Sequence, residues 1–211
     1  DKRYVIPDNV VEISEIFIHD YQREAASSKS NRAQGFTILQ DFVEGFFKED
    51  FSTFPELVHC LASDQPLLTP DDIFYSRESW DLMMKHYLAH ELEVPFNDMV
   101  WNCRFSLIPF LKVIRSKIPK ARLYHTISTG YAGLAAAAAV VKNPWASMVI
   151  TEHGIYTNER RIEIAQLNWL FDEYEANERP DHDQSFFKKW WNSLFKSYSS
   201  VAYYMADQII T

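Results

Sequence analysis

The sequence predicts an α/β fold organised on a parallel sheet, and three observations carry the prediction. Residues 122–127, Arg-Leu-Tyr-His-Thr-Ile, read as a strand. An alanine-built helical run follows at residues 134–141, and residues 146–151 form another apolar strand pattern. Strand, small-residue helix and strand make a βαβ unit, with parallel strands joined by a right-handed crossover. Between about residues 36 and 114 the apolar residues instead recur at helical spacing, so a large helical insertion, about 22–100, is expected in the α/β chain.

Taken in order, residues 10–18 are rich in β-branched side chains (Val10, Val11, Ile13, Ile16, Ile18) and predict a strand. Residues 25–34 are small and polar and predict a loop. Phe36, Leu39, Phe42 and Val43 start the helical pattern, which Gly45 interrupts. Phe54-Pro55 precedes a short helix, Thr69-Pro70-Asp71-Asp72 has the cap, proline and acids of a helix start, and Ser79-Trp80 opens another. Pro95-Phe96 begins a longer helix in which Pro109 is expected to make a kink or a boundary. After the third strand, Ile164, Leu167, Phe171 and Tyr174 form an apolar stripe. A polar break at residues 176–184 follows, then a second stripe through Phe187, Trp190, Trp191, Leu194, Tyr198 and Val201. Ile209 and Ile210 read as the beginning of a further strand, and the chain opens on Asp1, so a longer parent protein is expected.

The 211 residues are 47% hydrophobic and 15% aromatic, enough for a buried core, with a formal net charge of -8. That acidic balance argues against nucleic-acid binding, which needs a basic patch. Cys60 and Cys103 show no Cys-x-x-Cys spacing and read as small core residues of a protein from a reducing compartment. No apolar run has the length of a membrane span, and the opening residues lack a signal-peptide core.

The chemistry-bearing residues gather where strands end. Thr151-Glu152-His153-Gly154 closes the third strand, and Arg160-Arg161 stands in the first turn of the helix after it. Cations are disfavoured at a helix amino end, which is already partly positive. Two arginines there make sense if a phosphate or carboxylate docks against them, or if Glu159 and Glu163 neutralise them locally. His153 can hydrogen-bond a ligand or move a proton, or serve as a structural histidine satisfied by backbone. Glu152 can act as a base, with a local salt bridge as the simpler account. His125 closes the neighbouring strand, and Ser128-Thr129-Gly130 can present N–H groups to an oxyanion, although no P-loop lysine or dinucleotide fingerprint is present. His86 and His90, four apart with Glu91 after them, share a helix face without a third zinc ligand, and an ordinary half-exposed face explains them better.

Three strings in these segments resemble the PelF-type glycosyltransferases of the large retaining glycosyltransferase family 4. They are His125-Thr-Ile-Ser-Thr-Gly-Tyr-Ala-Gly133, the run from Thr151-Glu-His-Gly to Ile164, and Tyr204-Met-Ala-Asp-Gln-Ile-Ile-Thr211. Tyr4-Val-Ile-Pro-Asp-Asn resembles the same enzymes near the front. The resemblance implies a GT-B fold of two Rossmann-like domains, of which residues 1–211 would be part of the amino-terminal, acceptor-side domain. The carboxyl-terminal nucleotide-sugar domain lies outside the chain, so this piece alone is expected to be inactive. It further implies sugar transfer from a UDP-sugar to a growing exopolysaccharide, with no cofactor and no metal. His153 would be catalytic, with Glu152, Gly154, Glu159, Arg160, Arg161, His125, Ser128, Thr129 and Gly130 binding substrate. The expected location is the cytoplasm, at the inner face of the membrane where membrane-bound polysaccharide synthesis or export proteins serve as partners. The alternative is a non-catalytic interaction module, or a sugar- or nucleotide-binding module, of such a complex.

Overall fold

The structure, a computed structural model, describes residues 5–89, 94–167 and 186–211. In chain order the elements are α1 (Lys29–Phe47), α2 (Phe54–Ala62), α3 (Pro70–Tyr75), α4 (Arg77–Ala89), α5 (Phe96–Arg115) and β1 (Leu123–Thr126). There follow α6 (Tyr131–Lys142), β2 (Ser147–Thr151), α7 (Tyr156–Ala165), α8 (Phe186–Met205) and β3 (Gln208–Ile210). Phe171 and Tyr174, the polar break, and His90 with Glu91 lie outside the described residues, as does Tyr4.

The predicted βαβ unit is present. β1 and β2 pair in parallel, with His125 opposite Val149, and β3 pairs in parallel on the far side of β2, giving the order β1–β2–β3. Side chains alternate across the sheet. Met148 and Ile150 are fully buried on the helix side, whereas Leu123 and His125 are exposed on the other. α6 lies against that buried face, and its alanines leave room for α8 to pack closely on it. At Gly133 the approach is tightest: a Cβ there would stand 2.9 Å from the Ala202 Cβ and 2.9 Å from the Ser128 carbonyl oxygen.

The helical region shares this core. Phe54, Leu57 and Leu61 of α2 and Ile114 of α5 are completely buried with Leu134, Met148 and Ile150. A smaller cluster of Met99, Cys103, Ile164, Phe187 and Trp191 joins α5, α7 and α8. Both thiols are buried, and burial pushes Cys60 up to about 11 and Cys103 to about 12, in keeping with core residues.

Three expectations need correction. Residues 10–18 form no strand, and Val11 is 99% exposed. The alternating pattern supplies propensity, but a strand needs a partner for its backbone groups, and among the described residues this run pairs with none. What anchors the following segment is side chains: the Tyr21 hydroxyl and Arg23 Nε donate to Asp71, and the Ser27 N–H donates to Asp72. The loop expected at 25–34 gives way to α1 from Lys29, because Ser28 Oγ accepts from the Asn31 N–H and caps the helix. Pro109 marks no boundary, since α5 continues through it. The start at Thr69 is as the sequence predicts, a reciprocal capping box between Thr69 and Asp72 with Pro70 in the first turn.

Gly133→Val is expected to lower the free energy of unfolding by about 2 kcal/mol through overpacking against Ala202. Ala132→Val, on the exposed side of the same turn, should change it by less than about 1 kcal/mol. Urea denaturation reads both.

Candidate functional site

Parallel pairing sets the carboxyl ends of β1 and β2 at one edge, where ligands bind in open α/β sheets. His125 and Thr151 meet there, His125 Nε2 lying 2.8 Å from Thr151 Oγ1. His153 follows in the exposed bend between β2 and α7. The loop after β1 reaches the same place, because Gly130 packs beneath the ring of Tyr156, the first residue of α7. A Cβ at Gly130 would come within 2.4 Å of the hydroxyl end of that ring, so a larger residue would push the ring aside.

A polar network behind this edge holds both loops to α8. Thr129 is 1% exposed, and its hydroxyl lies 2.9 Å from that of Ser199. One turn further along α8 the Tyr203 hydroxyl donates to the Glu152 carboxylate. The Glu152 N–H donates to the Ile210 carbonyl oxygen at 2.8 Å, extending the β2–β3 ladder by one bond. Sequence reasoning missed Ser199 and Tyr203. The signal was available as two polar residues spaced four apart on an otherwise apolar helix face.

The expected residues therefore divide. His125, Gly130, Glu152, His153 and Gly154 belong to the two strand-end loops that meet. Thr129 is turned inward, into the network rather than onto an acceptor. The oxyanion reading of the β1 loop loses two donors, since the Ser128 N–H donates to Thr126 Oγ1 at 3.2 Å and the Gly130 N–H to Ser128 Oγ at 3.4 Å. Glu152 bonds to a neutral tyrosine, and among the described residues it forms no salt bridge of the kind the sequence suggested. Arg160 lies 2.5 Å from the Glu163 carboxylate, with its guanidinium 5.3 Å from the Tyr156 ring centroid, so the local-neutralisation account holds for one of the two arginines. Its Nε is buried without a hydrogen-bond partner among the described residues. Arg161 and Glu159 are exposed, and the Glu159 carboxylate lies over Gly154, 2.7 Å from where a Cβ would stand. α7 begins at Tyr156, and its N-cap Ile155 supplies no side-chain cap. The first turn carries Glu159, and Arg160 and Arg161 stand in the second turn rather than the first, where the sequence put them.

The chain belongs to the family described as Domain of unknown function (DUF3492). The match runs over residues 1–211. No curated protein and no solved structure matches the chain. Among the described residues of this DUF3492 chain, no three His, Cys, Asp or Glu side chains gather to hold a metal ion, and no helix is long and apolar enough to cross a membrane.

Tyr203 makes the network testable by pH. Burial, and then donation to Glu152, push its phenol up to about 12, against about 10 for a free tyrosine. A pKa raised on folding favours the folded state below the unfolded value and loses that contribution as pH rises through the folded one. Between about pH 10 and 12, the unfolding free energy should fall more steeply in the wild type than in Tyr203→Phe. Phenolate absorbance should show one high-titrating tyrosine fewer in the variant. Identical curves would contradict the network.

Proposed function

We propose that this chain is part of a retaining glycosyltransferase of GT-B architecture that moves a sugar from a UDP-sugar to a growing exopolysaccharide, as the PelF-type resemblance implies. The observation carrying the reading is the meeting of the two strand-end loops, which brings His153, His125 and the first turn of α7 to one edge. In this reading residues 1–211 line the acceptor side of a cleft whose nucleotide-sugar half lies in another part of the protein.

Catalysis of this kind rests on positioning and on stabilising the charge of the departing diphosphate. His153, exposed at the end of β2, would donate a hydrogen bond that orients the reacting sugar. The uncapped first turn of α7 offers N–H groups and a positive helix end to an anion. Glu159 stands in that turn, and the exposed Arg161 in the next turn offsets its charge. Arg160 keeps a buried Nε–H donor without a partner among the described residues, at a cost of about 1–3 kcal/mol. Glu152 is held by Tyr203, which suits a carboxylate that shapes the loop more than one that takes a proton.

In the complete protein, His153→Ala is expected to reduce UDP release and polymer formation by about a hundredfold or more with the fold intact, in line with loss of a positioned donor. Near-normal turnover would sink the assignment.

A further inference from the structure

We propose that the amino edge of the sheet, opposite the strand-end loops, docks the chain on a membrane surface carrying anionic lipid headgroups, with Trp145 entering between them.

Charge is spread unevenly along this chain. The formal net charge is -8, yet residues 99–151 contain no Asp or Glu. Some cations of that run are already matched. Lys112 and Arg115 in the last turn of α5 pair with Asp20 and Glu24. Lys142 donates to the Ile114 and Ser116 carbonyl oxygens. Lys117, Lys120 and Arg122, in the loop between α5 and β1, are exposed, and among the described residues no ion pair or hydrogen bond holds their side chains.

Trp145 stands in the neighbouring loop, between α6 and β2, and is 94% exposed. The Ala146 N–H donates to the Asn143 carbonyl oxygen at 3.0 Å, closing a turn with Pro144 and Trp145 at its tip. The two loops are tied to each other. Asn143 Nδ2 donates to the Ala121 carbonyl oxygen at 2.7 Å, and the Ser147 N–H to that of Arg122 at 3.0 Å. The Tyr124 hydroxyl braces the cationic loop by donating to the Pro119 carbonyl oxygen at 3.0 Å. An exposed indole and three unmatched cations therefore share one edge. Asp207 reaches the same edge just before β3, but its carboxylate accepts the Met148 N–H at 2.7 Å.

A lipid surface takes up both features. Indole rings settle at headgroup level, and cations are drawn to an anionic leaflet by a potential that fades within a Debye length. A bilayer plane touches only what projects, so the acidic remainder of the chain stays behind these loops. A nucleic acid lying along the protein would meet that remainder, and three cations release few counterions. A folded acidic partner would be selected by fixed groups, whereas unheld cationic side chains suit a fluid layer of headgroups. The strands are four and five residues long, which sets the two sheet edges roughly 15 Å apart. Docking in this orientation leaves the edge with His125 and His153 clear of the bilayer.

The test is co-sedimentation of the complete protein with phosphatidylcholine vesicles that contain or lack phosphatidylglycerol. Saturable binding to the anionic vesicles, weakening as salt rises, is the expected result. Trp145→Ala should weaken it about tenfold, and Lys117→Gln, Lys120→Gln and Arg122→Gln together about a hundredfold. Trp145→Phe should keep most of the binding but lose the quenching of tryptophan emission by lipids brominated on their acyl chains. Circular dichroism checks the fold of each variant. His153→Ala should leave vesicle binding unchanged, so the transferase reading can fail without the docking surface failing. No binding to anionic vesicles, equal binding to both kinds of vesicle, or binding indifferent to these substitutions would overturn the proposal. So would quenching that persists in Trp145→Phe. Binding of a single-stranded oligonucleotide that depends on the same residues, with vesicles unbound, would make the edge a nucleic-acid site instead.

Discussion

Parallel pairing of β1 with β2 is the constraint on which the candidate site depends. Two strands joined through α6 must finish at the same edge of the sheet, so His125 and the Thr151-Glu152-His153 run meet although 26 residues separate His125 from Thr151. That pairing requires α6 to return the chain within a narrow layer. The alanines of α6 and the bare Cα of Gly133 provide it, and α8 settles onto the same surface through Ala202. Energy and geometry are linked here. The contacts that bury Met148 and Ile150 are the ones that fix where the loops emerge.

The loops gain their shape from α8, which touches them only from behind. Ser199 meets Thr129, and Tyr203 meets Glu152, so one helix face holds the ends of two strands. Buried polar groups of this kind favour one arrangement because leaving any of them unpaired is costly. The outer surface remains open for a ligand, with His153 exposed and the first turn of α7 uncapped. A rigid inner side and an open outer side are what a binding edge needs.

How much of this was legible in the sequence depended on whether the determining partner was local. The capping box at Thr69 and Asp72 was readable because both residues lie within one turn, and the βαβ unit because alanine content and strand runs follow one another directly. Residues 10–18 carry a strand pattern as clear as that of β1, but a pattern states only propensity and the partner strand decides. Helix α1 began earlier than its polar composition suggested, because a single Ser28 cap outweighed the weak propensities around it. In the site, His125 and His153 were placed correctly at strand ends by order alone. The inward turn of Thr129 and the tyrosine partner of Glu152 were hidden, since both depend on a helix 51 or more residues away.

In the proposed function, the edge formed by these two strand ends faces the reacting sugar and diphosphate of the donor. Histidine side-chain nuclear magnetic resonance of the complete protein, titrated with UDP, tests it most directly. The account predicts that the imidazole signals of His153 and His125 move with saturation while those of His19 and His59 stay in place. Saturable UDP binding with His153 and His125 unmoved would contradict it.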